Sequence, residues 1–217
     1  MAKNSGATTF IIFVVVVGLV LGGLILIAPP KTEQPATNTN DQNQQPQVKE
    51  DPNLIDRSDA PIIGKKDAKV KLAVFSDYLC PYCVIVHKTL NDILSKYPDD
   101  VNLEVRHFVV HQEAQIMSQA AYAASLQGKF KEANSLIFEK YQEGTEDNMV
   151  KMAQELKLDI DKFKSDMKSD TAKNYVDKDS SDAQALGLGG TPSVFVNDKY
   201  LEDSTKLEDN IKSILSK

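Results

Sequence analysis

The chain has 217 residues, 41% of them hydrophobic, and a formal net charge of −6. That length supports one sizeable core once non-globular segments are set aside. The acidic balance, with no basic run to offset it, argues against a nucleic-acid partner.

Residues 1–9 form a short polar leader. Residues 10–28 read FIIFVVVVGLVLGGLILIA and carry no charge. At about 1.5 Å per residue, such a helix spans roughly the 30 Å hydrocarbon layer of a bilayer, which predicts a transmembrane anchor. A cleaved signal peptide has a shorter apolar region of about 7–15 residues, and Pro29-Pro30 is a poor cleavage junction. With the short leader kept inside, the expected placement is single-pass in the plasma membrane, N-terminus cytoplasmic, the rest of the chain outside. No cysteine lies near the end of the apolar run, which excludes a lipid-modified N-terminus there.

Residues 29–53 are rich in Pro, Gln, Asn and Thr and poor in apolar side chains, so they read as a flexible linker with a reach of about 28 Å. The globular domain is expected over residues 54–217. It opens with a short edge strand and turn within 59–66, followed by a valine-rich strand over 70–75. A helix over 81–97 follows, with Pro81 at its first position and Pro98 stopping it. Residues 102–110 alternate as a second strand, which makes the helix a crossover between parallel strands. The sequence then turns helical over 113–127, 130–142, 146–156 and 159–186, forming a helical insertion at about 112–186. Residues 193–196 and 200–201 look like a hairpin turned at Asn197-Asp198, and 207–215 like a closing amphipathic helix.

The two cysteines, Cys80 and Cys83, sit where the first long strand gives way to its helix. Pro81 at the first helical position puts Cys80 at the N-cap, against free backbone N–H groups and the positive end of the helix dipole, which favours a thiolate there. Cys83, one turn on, is expected to be more buried. A disulfide closing so small a loop adds little chain-entropy stabilisation, so a redox role outweighs a structural one. The competing reading is a metal-binding, metallochaperone-like module, because Cys80, Cys83 and His87 have a C-x2-C-x3-H spacing. With no further cysteine, a plain packing role for His87 is preferred to a metal site.

His107 and His111 read as strand and loop residues, and the charges over 162–182 as a solvated face. Asp77, at the end of the strand, is a candidate proton relay beside a plainer role as a turn acid. Tyr82, between the cysteines, is expected to be exposed at the active surface.

The stretches FSDYLCPYC (75–83), RHFVVHQEAQIMSQAAYAA (106–124) and GGTPSVFVN (189–197) resemble those of DsbA-like thiol–disulfide oxidoreductases of the thioredoxin superfamily, over residues 59–217. The resemblance implies an α/β thioredoxin fold with a helical insertion. It implies Cys80 and Cys83 as the exchanging pair, Pro81 and Tyr82 as the motif residues between them, and a cis Thr191-Pro192 loop that docks extended substrate. No cofactor is implied. The expected substrates are reduced exported proteins, and the expected recycling partner is a membrane-embedded quinone-linked oxidase of the DsbB or vitamin-K-epoxide-reductase-like kind. A reductase or isomerase on the same fold is the alternative. One departure stands out: the buried acid that many thioredoxin-like enzymes carry six residues before the first cysteine is Val74 here.

Overall fold

A computed structural model describes residues 47–217. The leader, the expected anchor over 10–28 and most of the expected linker lie outside the described residues. Among the described residues, no helix is long and apolar enough to cross a membrane.

The described chain begins with residues 47–50, outside any helix or strand, and a one-turn helix α1 (Pro52–Ile55), capped by the Asp51 carboxylate accepting from the Asn53 N–H at 3.0 Å. Packing therefore starts before the expected end of the linker at residue 53. Lys49 donates its N–H to the Leu186 carbonyl, and Glu50 accepts from the Tyr200 N–H.

Five strands follow: β1 (Ile62–Gly64), β2 (Val70–Ser76), β3 (Val101–His107), β4 (Ser193–Val196) and β5 (Lys199–Tyr200). They form one sheet in the order β1-β3-β2-β4-β5, with β2 parallel to β3 and every other pairing antiparallel. The crossover between β2 and β3 is α2 (Pro81–Lys96), as the strand–helix–strand pattern predicts. The β4–β5 turn is made at Asn197 and Asp198, both with positive φ, the conformation that a two-residue hairpin with matching twist requires. The Asn197 Oδ1 accepts from the Lys71 N–H at 2.7 Å, which ties the turn to the start of β2.

Side-chain alternation sends Val70, Leu72 and Val74 of β2 to one face of the sheet and Ala73 and Phe75 to the other. The first face packs against α2 and α8 (Leu207–Leu215), and the same apolar core continues into the insertion helices α3 (Ala114–Ser125), α4 (Phe130–Glu139), α5 (Glu146–Glu155) and α6 (Ile160–Met167). The second packs against α1 and the end of α7 (Asp170–Ala185). The insertion thus reaches both faces. The expected continuous helix over 159–186 is broken, because the Ser169 hydroxyl accepts from the Ala172 N–H and caps a new helix.

Two further expectations are corrected on the second face. The second strand ends at His107 rather than at residue 110, and the charges over 162–182 are not wholly solvated. Arg106 is fully buried, with its Nε donating to Asp179 at 2.7 Å and its Nη2 to Asp182 at 2.6 Å. Asp179 also accepts from Arg57 Nη1 at 2.9 Å and from the His107 backbone N–H at 2.9 Å. Arg106 Nη1 donates to the carbonyls of Leu54 and Ile55. One carboxylate therefore joins the N-terminal segment, the interior strand β3 and α7. Removing one partner of such a buried set leaves uncompensated charge, at a cost of about 3–5 kcal/mol. Asp179→Ala is expected to lower the unfolding free energy by about that amount in a urea titration, whereas Asp161→Ala on the exposed start of α6 leaves it nearly unchanged.

Candidate active site

The site is assembled where β2 ends and α2 begins. Cys80 is the N-cap residue of α2, with extended backbone and Pro81 at the first helical position. Its carbonyl accepts from the N–H groups of Cys83 and Val84. Its sulfur makes no bond to the helix N–H groups. Instead the Cys80 thiol donates to the Thr191 carbonyl at 3.3 Å, and Thr191-Pro192 is a cis peptide. The late hairpin is thus brought against the cysteine pair across more than a hundred residues of sequence.

Both cysteines are free thiols, with Cys80 6% and Cys83 1% exposed. Burial pushes the Cys83 thiol up to about 11, although hydrogen bonds from the Asp77 backbone N–H, the Ser76 hydroxyl and the Thr191 hydroxyl pull the other way. Around them the surface is apolar: Tyr82 is 72% exposed, and Ile85, Val84 and Val110 are exposed as well.

Asp77 has a role that its type alone does not reveal. Its Oδ1 accepts from the Leu79 N–H at 2.7 Å, and its Oδ2 accepts from the N–H groups of Val110 and His111 at 2.7 and 2.8 Å. His111 Nδ1 lies 3.3 Å from Oδ1. The carboxylate therefore stitches the turn before Cys80 to the loop after β3, and none of its hydrogen bonds reaches either sulfur.

His87 does not complete a metal site with the cysteines. Its ring stacks on Phe138 at 4.5 Å, and its Nε2 lies 2.9 Å from the Asn91 amide nitrogen. Among the described residues, no three His, Cys, Asp or Glu side chains converge for a metal ion. Burial holds His87 well below its ordinary value, at about 4, so it is neutral at pH 7.

Two residues that sequence reasoning passed over also shape the site. Tyr78, in the motif itself, is buried against Phe138 and His107 and donates its hydroxyl to the Asn134 Oδ1 at 2.8 Å. That bond fastens the active-site turn to α4. The available signal was the apolar spacing of Tyr78 within 75–83; nothing in the sequence pointed to Asn134.

The thioredoxin family pattern matches residues 56–216 of this chain. The chain belongs to the thioredoxin family. Its fold is similar to that of a thioredoxin-like oxidoreductase from Silicibacter pomeroyi DSS-3, with 25% identity, a TM-score of 0.68, and coverage of 76% of this chain and 98% of the other. BdbD from Bacillus subtilis shares the fold at 24% identity and a TM-score of 0.65, covering 73% of this chain and 94% of its own. Among curated relatives, the Na(+)/H(+) antiporter NhaA of Herminiimonas arsenicoxydans is 30% identical over 143 residues, 66% of this chain. This chain spans only 23% of that protein's length.

Asp77→Ala deprives three backbone N–H groups of a charged acceptor, each such bond contributing about 1.5–3 kcal/mol. The variant is expected to unfold at lower denaturant and to be cleaved faster by protease between residues 108 and 113. Unchanged stability and cleavage would contradict the stitching role.

Proposed function

We propose that this chain is a thiol–disulfide oxidoreductase that works outside the cytoplasm and oxidises cysteine pairs in exported proteins through Cys80 and Cys83. The observation that carries the reading is the asymmetry of the pair: Cys80 sits at the helix start beside the Thr191 carbonyl and keeps 6% of its surface exposed, while Cys83, one turn behind it, keeps 1%. In this reading a substrate thiolate attacks the Cys80 sulfur of the Cys80–Cys83 disulfide, and Cys83 leaves as a thiolate. A second substrate thiolate then attacks the substrate sulfur of the mixed disulfide and expels Cys80. The helix start makes Cys80 a good leaving group in that last step, which favours transfer of the disulfide to substrate.

Thr191 and Pro192 line the wall against which an extended substrate strand would dock by backbone pairing. Exposed Tyr82, Ile85 and Val110 suit the apolar side chains of an incompletely folded substrate. Pro81 sets the first turn of α2. Asp77 acts in this reading as a positioning residue rather than a proton relay, since its oxygens are occupied by backbone donors.

The uncharged run over 10–28 supports a single-pass anchor with the cysteines on the outer side, where disulfides persist. Electrons taken from substrates would pass to a membrane-embedded quinone-linked oxidase of the DsbB or vitamin-K-epoxide-reductase-like kind.

Equilibration of the pair against glutathione buffers tests the direction. A potential near about −120 mV is expected, with reduced ribonuclease oxidised by the wild type and not by Cys80→Ser. A potential near about −270 mV, with insulin reduction as the main activity, would turn the assignment to a reductase.

A further inference from the structure

Beneath Cys83 lies a cavity of about 10 Å³, whose wall includes Val74, Ser76, Cys83, His87, Asn134 and Phe138. Its size is at the lower limit for one water, which also needs two to four polar partners to be held. The polar ends left over around it can all donate. Asn134 spends its oxygen on the Tyr78 hydroxyl, which leaves its NH₂ group as the free end. His87 accepts at Nε2 from the Asn91 amide, which puts the ring proton on Nδ1. The Ser76 hydroxyl, which can donate as well as accept, lines the same cavity as Cys83.

We propose that this cavity holds a single water which, together with the Ser76 hydroxyl, donates hydrogen bonds to the Cys83 sulfur when it carries negative charge. A water that accepts from His87 Nδ1–H and from the Asn134 amide has its own protons left for the sulfur. In this arrangement Ser76 donates to the reacting sulfur itself, whereas His87 and Asn134 act through the water and are positioning residues. Val74 matters here for its volume. It leaves room for the water without contributing an ionisable group.

The inference rests on the redox reading, since it concerns the buried half of that exchange. When substrate attacks Cys80, the bond between the Cys80 and Cys83 sulfurs breaks and the electron pair stays on Cys83. The donors meet that charge, and a proton from solvent then converts the thiolate to the thiol. In the reverse direction Cys83 releases its proton to solvent, attacks the Cys80 sulfur of a mixed disulfide, and expels the partner thiolate. The same donors lower the barrier both ways, because hydrogen bonds to a charged acceptor are about twice as strong as neutral ones.

The test uses the reduced full-length protein and oxidised glutathione. The first phase is attack by Cys80 on glutathione disulfide, which releases one glutathione and depends on its concentration. In the second, concentration-independent phase Cys83 displaces the other glutathione and closes the Cys80–Cys83 bond. Val74→Ile fills the cavity, and Ser76→Ala removes the hydroxyl. Each is expected to slow the second phase about tenfold at pH 7, the effect of losing roughly one charge-assisted hydrogen bond, with the first phase and Tm retained. Should Val74→Ile lower Tm, His87→Phe, which keeps the ring stacked on Phe138, replaces it with the same expected slowing. A second phase at the wild-type rate in a variant of unchanged Tm would overturn the water site alone. A wild type showing neither phase would overturn the redox reading and the water site with it.

Discussion

The arrangement depends on a single turn of chain between β2 and α2, and that turn is held by the Asp77 carboxylate. Its three backbone bonds link the residues just before Cys80 to the loop that leaves β3. The Asp77 carbonyl accepts from the Cys80 N–H as well, at 3.1 Å. With the turn fixed, Pro81 starts the helix directly after Cys80, and the helical repeat carries Cys83 beneath it, into the core. The different environments of the two sulfurs follow from that one junction.

The rest of the fold keeps the junction from moving. Parallel pairing of β2 with β3 runs in register from Val70 to Ser76, so the end of β2 cannot shift without β3. On the opposite face, β3 is pinned through Arg106 and Asp179 to α7 and to the segment that leads in from the N-terminus. Tyr78 fastens the turn to α4. The helical insertion is thus part of the site's support, and the loop leading into β4 supplies the facing wall at Thr191.

Much of this was legible in the sequence, for identifiable reasons. The strands, the crossover helix and the late hairpin were marked by local periodicity and by Pro81, Pro98 and Asn197-Asp198, which act within a few residues of themselves. Cys80 and Cys83 stood out because no other cysteine exists. What escaped were partnerships between distant residues. Asp179 and Asp182 looked like part of a solvated helix face, since nothing local shows that Arg57 and Arg106 meet them. Asp77 looked like a candidate proton relay because its partners, the backbone N–H groups of Val110 and His111, carry no side-chain signature. Ser76, His87 and Asn134 border one cavity from three different elements, an association that only the fold creates.

The central claim is that Cys80 is the sulfur that meets the substrate and Cys83 the one that resolves it. Mass spectrometry of single-cysteine variants after incubation with oxidised glutathione tests this most directly. Cys83→Ala is expected to accumulate a stable glutathione adduct on Cys80, while Cys80→Ala, with only the buried Cys83, stays unmodified over the same interval. Equal adduct formation on both variants, or an adduct confined to Cys83, would contradict the account.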